Sequence, residues 1–120
     1  MSSKNRKHNR ILSANLISYD CLENDVVVSQ GMGKTLNVSR GGILLETHVQ
    51  IDIKYSMSIS IGLDDELVNI KGNAVYSKKS ESGKYESGVE FMEVDKKAVR
   101  VLNKYIIAFN EQKAKSENSD

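Results

Sequence analysis

Arg6 and Arg10 stand four residues apart near the start of the chain, and Asn37-Val38-Ser39-Arg40-Gly41-Gly42 follows after one strand-like stretch. An arginine fork donates two parallel hydrogen bonds to a phosphate or to the O6 and N7 of a guanine, and its flat face stacks on a purine. A lysine neutralises charge but cannot make that planar, two-toothed contact. Asn37 brings an acceptor and two donors, and Ser39 a rotatable hydroxyl. Gly42, lacking Cβ, permits a positive φ and a close backbone approach. The set is suited to holding an anion that also presents base edges. Arg40 and His8, each beside one of these motifs, are further candidates for ligand contact.

These residues need a scaffold, and the middle of the chain alternates with period two. From Tyr55 to Leu63 the residues Tyr55, Met57, Ile59, Ile61 and Leu63 share one face, and serines with Gly62 take the other; strict alternation of this kind marks a half-buried strand. Leu12, Ala14 and Leu16 alternate after Arg10. Val26–Val28 opens a second strand and Ile43-Leu44-Leu45 a third. Leu67–Ser77 and Tyr85–Val94 add two more, joined by the turn Ser80-Glu81-Ser82-Gly83, and Asp64-Asp65 marks another turn. Six short strands predict an all-β antiparallel barrel or sandwich over residues 11–94. Closure would remove exposed edges in a chain that has no proline to blunt them.

From Lys96 the period changes. Val99, Leu102, Ile106 and Phe109 recur at helical steps, with Asp95 placed to cap the first turn, so an amphipathic helix is expected over 95–112. Its apolar stripe should pack across the barrel. Residues 113–120 are almost wholly polar and are expected to be disordered.

Composition narrows the function. The chain has 120 residues with 28% charged and 39% hydrophobic, which is ordinary for one folded domain. Residues 1–10 hold Lys4, Arg6, Lys7 and Arg10 with no acid, whereas the remainder carries 13 bases against 16 acids. A basic arm on a mildly acidic body suits a small anionic ligand better than a nucleic-acid-coating surface. No apolar run approaches a membrane span or a secretion signal, and Cys21 is the single cysteine, which fits a reducing cytoplasm and no membrane insertion.

The two motifs resemble those of the PilZ domain, the bacterial receptor module for cyclic di-GMP. Arg6 and Arg10 match its Arg-x-x-x-Arg, and Asn37, Ser39 and Gly42 match its Asp/Asn-x-Ser-x-x-Gly. Gly88-Val89-Glu90-Phe91 looks like its penultimate glycine-apolar strand, and the likeness spans about residues 5 to 110. The resemblance implies a six-stranded antiparallel β-barrel with a C-terminal helix, and a ligand rather than a cofactor or metal. It also implies that residues 1–10 form a flexible arm that orders over cyclic di-GMP and signals to a partner protein, with no catalytic step. Asn37 stands for the commoner Asp. Asn5 lies where a third arginine would strengthen the arm, which leaves open whether one ligand or a stacked pair binds.

Other readings are weaker. A PilZ-like interaction scaffold that binds no nucleotide would keep the motifs as relics. A nucleic-acid-binding barrel would want more base-stacking platforms than five Tyr and two Phe supply. Gly31-Met32-Gly33-Lys34-Thr35 ends like a phosphate-binding loop, but Val28 occupies the place of its first glycine and strand, not helix, follows. Gly31 and Gly33 are instead expected to permit a bulge or bend. Asn37-Val38-Ser39 fits a glycosylation triplet without a secretory signal to support it. His8, Cys21 and His48 have no metal-ligand spacing.

Overall fold

The structure, a computed structural model, describes residues 16–118. Six antiparallel strands, β1 (Leu16–Glu23), β2 (Val26–Val38), β3 (Gly42–Thr47), β4 (Ser56–Leu63), β5 (Glu66–Lys79) and β6 (Tyr85–Phe91), close into a barrel in the order β1-β2-β3-β6-β5-β4. One helix, α1 (Lys96–Asn118), follows. The barrel alternative is therefore the one realised. Arg6, His8 and Arg10 lie outside the described residues, as do Leu12 and Ala14 of the first alternating stretch.

The turns form where the sequence supplies their chemistry. Asn24 and Asp25 join β1 to β2 with φ of 52° and 65°, the paired positive values that a tight hairpin demands and that Asn and Asp tolerate. Gly83 adopts φ 89° in the β5–β6 turn, where Ser80 N–H donates to the Lys84 carbonyl at 2.8 Å. Asp64 and Asp65 join β4 to β5.

In β4 the face bearing Met57, Ile59, Ile61 and Leu63 points inward, as the alternation requires. In β1 the inward set is Ile17, Tyr19 and Cys21, and Leu16 is exposed. Leu16, the one described residue of that alternating stretch, thus faces outward. Gly31 is opposite Tyr19 in the β1–β2 register, and a Cβ there would come within 2.6 Å of the Tyr19 hydroxyl oxygen. This glycine makes room for a buried ring. The bulges lie elsewhere, against Cys21/Leu22 and between Thr35 and Asn37 in β2, and between Ala74 and Tyr76 in β5.

Asp95 caps α1: its carboxylate accepts the Ala98 N–H at 2.8 Å and its carbonyl accepts the Val99 N–H at 2.8 Å. The helix lies against β4 and β5. Its buried stripe is Ala98, Val101, Leu102, Tyr105 and Phe109, with Val99 exposed and Ile106 half-buried. That is one step round from the expected line, because Tyr105 turns its large ring inward. Each fully buried side chain of this kind contributes roughly 1.5–3 kcal/mol. Glu66 at the start of β5 holds the helix from outside, paired with Arg100 at 2.8 Å and Lys104 at 3.0 Å. The Lys104 hydrogen bond and the two cations lower its carboxyl pKa. The helix also runs to Asn118, past the expected end at 112. No glycine or proline intervenes, and Gln112, Lys113, Ala114 and Lys115 are strong helix formers. Among the described residues no helix is long and apolar enough to cross a membrane.

Candidate functional site

Two of the bulges build the site. In β2, Gly33 and Thr35 point inward; the extra residue Leu36 then reverses the alternation, so Asn37 faces solvent while Val38 is buried. In β5, Ala74 is buried and the register slips at Val75, so both Val75 and Tyr76 are exposed. Without these slips Asn37 and Tyr76 would fall on the inner face. Bulges re-aim side chains in this way beside binding sites.

Between the two lie β3 and β6, and the registers form a continuous row. Asn37 pairs with Leu44, Leu44 with Gly88, and Gly88 with Tyr76. At ordinary strand spacing the row spans about 14 Å. Its floor is low because Gly88 has no side chain; the Tyr76 ring lies over it, with Cε2 2.5 Å from where a Cβ would sit. The Lys78 ammonium stands 5.7 Å from the centre of the same ring. The result is an open groove of about 280 Å³ on the outer barrel wall, with Asn37, Ser39 and Gly42 at one side, Val75 and Tyr76 at the other, and Glu90 of β6 beside Gly42.

The turn from β2 to β3 is held by its own atoms. Ser39 N–H donates to the Gly42 carbonyl at 2.9 Å, and Gly41 N–H donates to Ser39 Oγ at 3.3 Å. Phe91 N–H donates to the Gly41 carbonyl at 2.9 Å, tying the turn to the end of β6. Asn37 Oδ1 accepts the Val38 N–H at 3.0 Å. Each of these oxygens accepts one bond within the turn, and the amide protons of Asn37 and the hydroxyl proton of Ser39 are left to donate to a ligand. Donors suit phosphate oxygens and the O6 and N7 of a purine.

Gly42 serves differently from expectation. It does not adopt positive φ; a Cβ there would collide with the Val89 carbonyl oxygen across the β3–β6 pair. The close approach it allows is of β6, with the groove as the by-product. Arg40 extends away toward α1, where its Nε donates to Asn103 Oδ1 at 3.2 Å. The structure therefore brings together Asn37, Ser39 and Gly42, sends Arg40 to the helix, and leaves the arm residues undescribed.

Tyr76 lines the groove and is passed over by motif reading. It offers an exposed aromatic face, able to stack on a base for roughly 1–3 kcal/mol. Glu90 adds a carboxylate that can accept from the N1–H and N2–H of a guanine. Among the described residues no group of three or more His, Cys, Asp or Glu is placed to hold a metal ion.

Comparison with known proteins agrees with the fold. Among solved structures, the chain is similar to the PilZ domain with c-di-GMP of YcgR from Escherichia coli, with a TM-score of 0.60 over 88% of each chain and 11% sequence identity. At that identity the likeness speaks for the fold. No curated protein matches the sequence. The family model for the PilZ domain matches residues 4–108, and the chain belongs to that family.

Proposed function

We propose that this chain is a receptor for cyclic di-GMP that signals to a partner protein and catalyses no reaction. The observation that carries the reading is the row Asn37–Leu44–Gly88–Tyr76, with outward donors at one end and an aromatic face at the other. It lies in a family of which one structure, the YcgR domain, is described with c-di-GMP. Asn37 and Ser39 would donate to phosphate or base edges, Tyr76 would stack on a guanine, and Glu90 would accept from it.

Arg6 and Arg10 complete the site in this reading. Leu16 pairs with Lys34, so β1 begins near the end of β2 that carries Asn37. Arg10 is then at most about 20 Å of extended chain from Leu16, enough to reach the groove. Two forks closing over the ligand would supply the charge that the described wall lacks, and the ordered arm would be a new surface for a partner.

Isothermal titration of cyclic di-GMP into the protein, with GTP as control, tests this. Saturable binding that Arg6→Ala and Arg10→Ala each weaken at least tenfold is the expected result. Absence of binding and of thermal stabilisation in a folded protein would overturn it and leave the interaction scaffold. Hundredfold excess over the dissociation constant should stabilise by about 2.7 kcal/mol.

A further inference from the structure

The loop between β3 and β4 has no regular structure, yet it is held to β5. Ile51 is buried in the core, and its N–H donates to Ser77 Oγ at 3.1 Å. Gln50 Nε2 donates to the Ser77 carbonyl at 3.0 Å, and the Ser77 and Ser87 hydroxyls lie 2.7 Å apart. These bonds fix residues 50–53 beside the part of β5 that follows the slip at Val75. Between loop and strand lies a second cleft, of about 610 Å³, lined by residues 50–53 and by Val75, Tyr76 and Ser77.

Val75 and Tyr76 line both this cleft and the groove that holds Asn37, so the two hollows meet over that pair. The groove alone, at about 280 Å³, is smaller than the roughly 300–1,000 Å³ of a pocket for one drug-sized ligand. Cyclic di-GMP carries two guanines and needs more wall than that. The cleft supplies what a second base requires. Ile53 and Val75 are 58% and 53% exposed, an apolar surface kept open to solvent on a fixed backbone. Asp52 adds an exposed carboxylate. Its Oδ1 accepts the Lys54 N–H at 3.0 Å, and its Oδ2 lies 3.9 Å from the Lys54 ammonium. A carboxylate has about four acceptor positions, so both oxygens can still accept from the N1–H and N2–H of a guanine. Lys78, 5.7 Å from the centre of the shared Tyr76 ring, adds a cation for the phosphates that join the two bases.

We propose that the cleft between residues 50–53 and β5 takes the second guanine of cyclic di-GMP and that Asp52 reads its edge, an inference that rests on the receptor reading above. The first guanine stays in the groove beside Glu90, and Tyr76 is the wall common to both. An adenine has neither the N1–H nor the N2 amine to offer, so Asp52 selects guanine at this second position.

The test is titration calorimetry of cyclic di-GMP, and of cyclic GMP–AMP with its one adenine, into the native protein, Asp52→Asn and Ile53→Ala. Circular dichroism shows whether each variant is folded, and Leu67→Ala, an exposed position at the far end of β5, serves as the control. Asp52→Asn should weaken cyclic di-GMP about tenfold and narrow its preference over the hybrid ligand. Ile53→Ala should weaken both ligands a few fold, and the control neither. The direction is diagnostic, because removing an acid near a ligand with two phosphates strengthens binding where the acid makes no contact. Cyclic di-GMP affinity that the folded Asp52 and Ile53 variants leave unchanged or raise overturns this inference alone. The receptor reading then stands, with the ligand confined to the groove and the cleft left to a protein partner. Absence of all binding in the folded native protein overturns both together.

Discussion

The hydroxyls of Thr35 and Tyr105 lie 2.6 Å apart in the interior, one on β2 and the other on α1. Thr35 is the last inward residue before the slip that turns Asn37 to solvent. The helix is thus fastened to the strand at the point where the strand begins to build the groove. Arg40, three residues beyond Asn37, makes a second tie to the same helix through Asn103.

Removing one partner of this pair strands the other, since both residues are almost fully buried. Tyr105→Phe should destabilise the protein by about 1–3 kcal/mol, the cost of a buried hydroxyl without a partner. Thr35→Val should do the same. The double variant should lose less than the sum of the two, and a double-mutant cycle by urea unfolding measures the shortfall. Additive losses would show that the pair contributes no coupling.

Tyr105 also sets an alkaline limit. Burial pushes its pKa from 10.0 up to about 12, opposed by the Thr35 hydrogen bond. The unfolded chain releases this proton more readily than the folded one. The stability contributed is whole below pH 10 and is lost as pH rises through about 12. Unfolding free energies measured across that window should fall more steeply for the native sequence than for Tyr105→Phe. Tyr19, whose pKa burial also raises, is common to both proteins and cancels in the difference.

What the sequence conveyed follows from where the chain obeys a simple period. Tyr55–Leu63 alternates without a slip, so β4 and its inward face were legible residue by residue. Asp95 was legible because a capping carboxylate needs only local spacing. The groove was half legible: Asn37, Ser39 and Gly42 lie in one contiguous motif. Tyr76 lies beyond a slip at Val75 that nothing in its own strand announces, and its partner Gly88 is brought opposite only by barrel closure. Strict alternation from Ala74 would have buried it. The same limit explains β1, where the apolar Leu16 faces out, and α1, where an amphipathic Tyr105 replaces Val99 on the buried side.

Gly42 separates a structural requirement from a ligand contact. A methyl group there meets the Val89 carbonyl oxygen, a backbone atom that cannot swing aside. Gly42→Ala should therefore destabilise by about 1–3 kcal/mol even without ligand, as overpacking does. Thermal unfolding of the ligand-free protein checks this. A variant as stable as the native protein, but with weakened nucleotide binding, would return Gly42 to the role of admitting the ligand.

Tyr76 carries the opposite expectation. The residue is 42% exposed, so loss of its ring should weaken binding more than folding. Tyr76→Ala should reduce cyclic di-GMP affinity by about 1–3 kcal/mol, the worth of one base stack. Tyr76→Phe keeps the π-face and should bind within a few fold of the native protein. Titration calorimetry of both variants, beside their unfolding curves, distinguishes stacking from support, because the ring also covers Gly88. If the ring serves only to shield that glycine, Tyr76→Ala should lower stability and leave the affinity of the folded fraction unchanged. If the hydroxyl rather than the face meets the ligand, Tyr76→Phe should fail along with Tyr76→Ala. A guanine laid on the ring predicts the pattern between these two: alanine weak, phenylalanine near native, and both folded.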